Sequence, residues 1–351
     1  MRLERRAAPS RAMALAAPLL AVALTLGLSA ALVAWAGAPV GRAYWLLLEG
    51  GFGSRLALTE TLTRATPLIL TGLAAAVAFR ARLWNIGAEG QLYAGALAAV
   101  AVAGAGGSFA LMIAAAMAAG ALLLLGPALL KRLGVDEVVT TLLLNFIVLL
   151  GVSAMLDGPM KDPMAMGWPQ SIALPEELQI GNLVPRSRLH NGLLAALALA
   201  AALALLLRQT TLGFEIRAVG ANARAAAFAG MPVQRVTVLV ALMSGALAGL
   251  AGAIEVAGRA GYLTLDMSPG YGYSGIVVAM LAGLNPLGVV AAATFVAGIL
   301  VGADGMSRQV GVPTYIADVI VALALITMLM ATLLVNYRVA WRRPAAVGGA
   351  A

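Results

Sequence analysis

A chain of 351 residues that is 62% hydrophobic and only 11% charged carries more apolar surface than one soluble core can bury, since soluble domains run roughly 45–50% apolar and about 25% charged; its solvent is a bilayer. The net charge of +8 would suit nucleic acid, but the basic residues stand singly at the ends of apolar runs, where cationic anchors meet a membrane surface, rather than in a stripe. With no cysteine and a single histidine, disulfide frameworks, zinc ribbons and iron–sulfur clusters are excluded.

In chain order, residues 1–11 form a basic segment with Arg2, Arg5, Arg6 and Arg11. Ala12–Ala36 is the first apolar run. Its Ala34-Trp35-Ala36 mimics a signal cleavage site, but the run exceeds the roughly 7–15 residues of a signal core and is expected to be a retained helix. Further runs follow at Ala65–Phe79, Gly87–Ala105, Phe109–Leu130, Val138–Leu156, Gly192–Leu207, Val236–Ala257, Tyr271–Leu284, Pro286–Val301 and Tyr315–Val335. The second extends back toward Leu56, with Glu60 and Arg64 in an amphipathic first half. At about 20 residues per crossing, the expectation is an all-α polytopic transmembrane helical bundle. It would have about ten membrane segments, including broken or half-length helices, within a membrane domain spanning 12–335 and followed by a tail at 336–351.

The distribution of Lys and Arg orients this bundle. Arg80, Arg82, Lys131, Arg132, Arg208, Arg217, Arg224 and Arg235 fall in the loops that share a side with the N-terminus, which predicts both termini inside. Trp35, Trp84 and Trp341 fall at run ends, as an interfacial aromatic belt requires. The external loop is then 157–190, with five of the fifteen prolines, too short for a catalytic domain; lone His190 at its end reads as solvated or interfacial rather than as a metal ligand. The inside loop 208–235 is unusually long.

Most catalytic machinery is missing. There is no helical His-Glu-x-x-His and no Gly-x-Ser-x-Gly. The only lysines, Lys131 and Lys161, do not follow glycine, so the chain has no P-loop for ATP; any ATP-driven work needs another subunit. Gly270–Gly275 matches Gly-x-Gly-x-x-Gly without the strand–turn–helix context and reads instead as a flexible entry to a half-length helix.

Four stretches place polar groups where lipid makes them costly. In the first, Phe79–Gln91, Asn85, Glu89 and Gln91 open an apolar helix, as lining of a polar path or as a capped inner turn with Asn85 as N-cap. In the second, Gly134–Leu150, the spacing puts Glu137, Thr141 and Asn145 on one helix face, so that Asn145 is either an interhelical hydrogen bond or a substrate contact. The third, Thr211–Met231, offers Asn222 as the cap of a short helix. Its small-residue stripe of Ala223, Ala226, Ala227 and Gly230 invites an external partner or packs on the protein's own inner surface. In the fourth, Gly270–Val290, Asn285-Pro286 separates two short apolar pieces, a sign of discontinuous or re-entrant helices.

Together these stretches resemble the permease subunits of ABC importers of the branched-chain amino acid, ribose and nucleoside type, nearest the nucleoside and simple-sugar permeases. The matching elements are Asn85–Gln91, Gly134–Asn145, Gly213–Gly230 and Asn285–Gly288, and the similarity covers roughly Leu56 to Val335. The resemblance implies a permease in a bacterial cytoplasmic membrane, without enzymatic activity or a cofactor of its own, that moves a nucleoside or sugar by alternating access. Its implied partners are an ATPase subunit using ATP and Mg, a second permease subunit (like or unlike), and an extracytoplasmic solute-binding protein. Residues 208–235 become the coupling loop, with Gly213, Glu215, Arg217, Gly220, Asn222, Ala226 and Gly230 as coupling residues; Asn85, Glu89, Gln91, Asn145 and Asn285 become candidates for the substrate path. The competing reading is a secondary transporter driven by an ion gradient, with Glu60, Glu89, Glu255 and Asp318 as its relay.

Overall fold

The computed structural model describes residues 2–5, 11–311, 313 and 315–340; Arg6, Trp341 and the tail beyond residue 340 lie outside it. The chain runs through helices α1 (Arg11–Trp35), α2 (Val40–Phe52), α3 (Arg55–Arg80), α4 (Ala88–Gly104), α5 (Phe109–Leu130), α6 (Glu137–Asp157), α7 (Gly192–Gln209), α8 (Thr211–Ala221), α9 (Ala223–Phe228), α10 (Val233–Glu255), α11 (Tyr271–Leu281), α12 (Pro286–Val310) and α13 (Tyr315–Asn336). Apart from an antiparallel pairing of Arg2–Arg5 with Tyr337–Ala340, the regular elements among the described residues are helical.

Among these residues six helices are long and apolar enough to cross a membrane: α3, α5, α6, α7, α10 and α12. The pair Ala23–Trp35 and Val40–Phe52, bent by 111° at its break, counts as a seventh if it is one span. By length and composition the described residues thus give six or seven spans, and the expected figure of about ten is not confirmed. Helix α11, at 11 residues, and α4, at 17, are shorter than such a span, while Pro286–Val301 continues to Val310 as one full-length helix instead of a short piece.

The chain divides into two compact units, Met1–Leu47 with Ala303–Ala351, and Leu48–Gly302. In the first, α1 packs on α13, and the hydroxyls of Thr25 and Thr327 meet at 2.7 Å. The Tyr44 hydroxyl donates to the Leu26 carbonyl at 2.6 Å.

In the second unit α3 is the enclosed helix, with 89% of its apolar window buried against 17% for α6. Helix α10 packs closely on α5 and α4. Glycine permits that approach: a Cβ at Gly249 would overlap the Ala116 carbonyl, and one at Gly245 the Gly120 carbonyl. In lipid, where apolar burial gives helices no reason to associate, such backbone proximity and the dispersion contacts it allows hold the bundle together.

The 158–191 loop is stitched onto the segment that follows α10. Ser171 N donates to Leu263 O (3.0 Å), Leu174 N to Gly261 O (2.7 Å) and Ile180 N to Ala257 O (2.8 Å). His190, expected to be solvated or interfacial, is enclosed by the protein itself. It is fully buried, its ring lies against Gly258, and Nδ1 accepts from Gly192 N at 3.2 Å. Burial, with a smaller contribution from the charge of Arg259, pushes its pKa down to about 4.

Two outcomes are expected. Gly249→Leu should abolish a monodisperse, thermally cooperative species in detergent, whereas Gly126→Leu, with nothing within 4 Å of its added Cβ, should leave the melting profile unchanged. For His190 the folded pKa lies below the unfolded value of about 6.5. The docked loop keeps its full stability above that pH and loses it as pH falls toward 4, by up to about 1.4 kcal/mol per pH unit. Melting temperature measured from pH 7 to 4 should therefore fall more steeply in the wild type than in His190→Phe; parallel curves would refute the assignment.

Candidate functional site

Helix α3 fixes a depth scale. Its last residue, Arg80, sits at the turn into α4; Ala74 lies six residues before it, about 9 Å along the axis, and Thr71 nine residues before it, about 14 Å. The Ala74 carbonyl accepts from Ser244 Oγ of α10 (2.8 Å), and Ser244 accepts from Asn85 Nδ2 (3.0 Å). The chain after Arg80 thus folds back into the bundle, and α4 starts inside it.

Asn85 and Gln91 form a reciprocal amide pair: Asn85 Nδ2 donates to Gln91 Oε1 (2.9 Å) and Gln91 Nε2 to Asn85 Oδ1 (2.8 Å). Asn85 Oδ1 also accepts from Gly87 N at 3.0 Å, so it orders the turn, while Gly87 occupies the N-cap of α4. Asn145 reaches the same turn from α6. Its Oδ1 accepts from Gly90 N (2.8 Å) and its Nδ2 donates to Ile86 O and to the Tyr273 hydroxyl, each at 3.0 Å. Glu137, Thr141 and Asn145 are all buried, on the inward face that their spacing implied.

Thr71 Oγ1 donates to the Tyr271 carbonyl at 2.9 Å, which puts the first residue of α11 deep in the bundle, since the hydrocarbon core is only about 30 Å thick. The eleven residues of α11 then return to the Arg80 end, where Arg80 Nη2 donates to Leu284 O at 2.8 Å. This is a half-length helix with its N-terminus at depth, as anticipated. Glu89 Oε2 accepts from Gly272 N at 2.6 Å, a carboxylate at the positive end of the helix dipole. The irregular lead-in is held by Tyr93, whose hydroxyl donates to Leu265 O (2.6 Å) and accepts from Ser268 N (3.2 Å).

Asn85, Glu89, Gln91 and Asn145 therefore belong to one buried polar seam. Asn285 does not join it: its Oδ1 accepts from Leu287 N at 3.2 Å and caps α12. Sequence reasoning missed Tyr93, Ser244, Tyr271 and Tyr273, whose roles depend on long-range contacts. Beyond the seam, Glu255 of α10 pairs with Arg259, one turn on in a π-helical turn over Val256–Ala260. Its Oε2 and the Tyr271 hydroxyl are buried with no hydrogen-bond partner. Among the described residues no group of His, Asp and Glu could hold a metal.

At the other end of α10, α8 and α9 form the long 208–235 loop. Asn222 Oδ1 accepts from Arg224 N and Ala225 N, each at 3.1 Å, the cap its position predicted. Gly230 closes α9 with φ +81°, the left-handed conformation that favours glycine. The small-residue stripe is split. Ala226 is only 5% exposed and turns toward the protein, while Ala223, Arg224 and Ala227 face out and Phe228 is 98% exposed. Ala226 approaches closely because it is small, but what it approaches is its own chain. Gly213 and Gly220 have structural reasons too: a Cβ on Gly213 would overlap Leu206 O, and one on Gly220 would overlap the carbonyl of Arg80. Glu215 and Arg217 are half-buried on α8.

Comparison with known proteins places this architecture. The chain is 37% identical to the guanosine ABC transporter permease protein NupP of Bacillus subtilis, over 88% of this chain and 91% of that one. It is 36% identical to the glucose ABC transporter permease protein TsgB13 of Haloferax volcanii (85% and 82%), and 32% identical to the nucleoside ABC transporter permease protein NupB of Lactococcus lactis subsp. cremoris (79% and 80%). A solved chain of PsaBC from Streptococcus pneumoniae in complex with Fab superposes with a TM-score of 0.45 at 14% identity, over 81% of this chain and 94% of that one. Residues 57–331 match the family described as branched-chain amino acid transport system / permease component, and the chain belongs to that family of ABC transporter permeases.

Proposed function

We propose that this chain is the membrane-spanning subunit of an ABC importer for a nucleoside or simple sugar, in a bacterial cytoplasmic membrane with both termini inside. The observation that carries the reading is the half-length helix α11, whose buried N-terminus is held by Glu89, within a chain related over most of its length to permeases named for guanosine, nucleoside and glucose. A helix end at membrane depth presents oriented backbone dipoles to a polar solute, and such discontinuous helices mark transport sites at the bilayer midplane. Asn145 holds that element through Tyr273, Asn85 and Gln91 order the turn beside it, and together they line the region from which a path would open.

The chain has no P-loop, so the power stroke comes from an ATPase subunit that uses ATP and Mg. The outward face of α9 is its docking element, with Phe228 as the knob and Arg224 beside it; Gly213, Glu215, Arg217, Gly220, Asn222, Ala226 and Gly230 shape and support that face. Force then passes from α8 to α3 where Gly220 touches the Arg80 carbonyl. A second permease subunit and an extracytoplasmic binding protein complete the importer. The nucleotide shifts the balance between inward- and outward-open states only as far as the ATPase grips them with different affinity.

Proteoliposomes containing this chain and its ATPase should take up labelled guanosine or glucose only with ATP inside the compartment that holds the ATPase. Uptake by the chain alone, following a proton or sodium gradient, would replace this reading with the secondary-transporter one. Phe228→Ala should weaken ATPase binding by about 2 kcal/mol, roughly thirtyfold, with an unchanged melting temperature because the side chain is exposed. Gly220→Val, whose Cβ would overlap the Arg80 carbonyl, should instead lower the melting temperature of the isolated chain, as Gly249→Leu should.

A further inference from the structure

An open cavity of about 650 Å³ lies at the end of the second unit that carries α8 and α9, between the α3–α4 turn, α8 and the α11–α12 turn. Arg80, Arg82 and Arg217 line it, and no carboxylate does. Among the described residues no acidic side chain pairs with any of the three. Arg208 is near enough for its charge to act on Arg80 as well. Arg80 is already committed through Nη2 to Leu284 O, yet its Nε is buried without an acceptor. Phe79 and Trp84, with ring centroids 4.8 Å apart, supply an apolar wall.

Several guanidinium groups gathered without a counter-ion repel one another, and a buried N–H without an acceptor costs free energy. An anion with several oxygens relieves both. We propose that this cavity binds a phosphate group, presented by the headgroup of an anionic phospholipid. Guanidinium forks match phosphate oxygens in geometry and charge. The membrane supplies the lipid at this level, because Trp84 sits at the end of the apolar run, where aromatic belts meet headgroups, and basic pockets between helices on the positively charged side of a membrane protein hold anionic headgroups. Arg217 and Gly220 belong to α8 and Arg80 to α3, so the occupant bridges the two elements that meet at the Gly220–Arg80 contact. Phosphate binding here does not depend on which solute the chain carries.

The test uses the full-length chain in a neutral detergent and follows its thermal unfolding during titration with short-chain phosphatidylglycerol, phosphatidylcholine of equal chain length, or inorganic phosphate. Saturable stabilisation by phosphatidylglycerol alone is expected. Its apparent affinity should weaken by about tenfold in Arg217→Gln, the loss of one charge-assisted contact. Arg82→Gln, at an exposed side chain, should act in the same direction and serves if Arg217→Gln does not fold. Equal stabilisation by the two lipids, or unchanged phosphatidylglycerol affinity in both variants, overturns the proposal. Stabilisation by inorganic phosphate that phosphatidylglycerol does not displace would keep a phosphate site but overturn its lipid source. Native mass spectrometry of the complex with its ATPase gives the last arm: retained phosphatidylglycerol supports the site, and loss of lipid on ATPase binding assigns the cavity to an acidic protein contact instead.

Discussion

The constraint on which the bundle depends is that backbone amides and carbonyls inside lipid must find partners within the protein. Helices meet it automatically. In the second unit the described chain leaves the helix between α3 and α4 and between α10 and α11, and at both breaks side chains serve as substitutes for helical bonds. Asn145 serves the backbone of Gly90 and Ile86 at once. Glu89 serves Gly272, Thr71 serves Tyr271, and Tyr93 serves both Leu265 and Ser268. Since each buried polar group left bare costs about 1–3 kcal/mol, these few residues decide whether the irregular backbone can exist at all. Their first duty is scaffolding.

The same bonds join the seam to α11. Helix α11 packs closely on α3, and it is tied to α4 and α6 by discrete polar contacts, Glu89 to Gly272 and Asn145 to Tyr273. Discrete contacts can be exchanged as units, which is how packed elements switch between two arrangements. At the far end of α11 three elements converge on one residue: Arg80 ends α3, holds Leu284 in the α11–α12 turn through its guanidinium, and meets Gly220 of α8 through its carbonyl. From α8 the contact to α3 is backbone against backbone, and from α3 to the α11–α12 turn it runs through the Arg80 guanidinium.

Much of this was legible in the sequence, and the failures share a cause. Polar residues in apolar runs stood out because lipid makes them costly, so Asn85, Glu89, Gln91 and Asn145 were marked, and Asn145, Thr141 and Glu137 fell on one face by helical spacing alone. The half-length of α11 followed from the break at Asn285-Pro286. What spacing does not encode is the partner across space. Ser244 and Tyr93 sit in runs whose other residues pack or face lipid, and nothing local distinguishes them. Ala226 looked like a docking surface because smallness reports close approach without saying to what; Phe228, one position past Ala227, carries the exposed bulk. Helix α2 was passed over because Arg42, Glu49 and the glycines of Val40–Phe52 dilute its apolar signal. His190 looked solvated because histidine in a proline-rich loop usually is, whereas Gly258 leaves room for its ring.

Glu255 separates the two ways such a bundle could be powered. A carrier driven by protons or sodium needs an intramembrane carboxylate that gains and loses its cation during the cycle. Glu255 is the most enclosed acid in α10, with no exposed surface, but it is matched by Arg259 from the next turn of the same chain segment. Both ends of this pair ride on one continuous helix, whose π-helical turn sets their spacing, so the charge is compensated locally wherever the helix moves. Glu89 is likewise committed, to the dipole of α11. Glu255 and Glu89, compensated within the helices, therefore leave a travelling ion little work at either site.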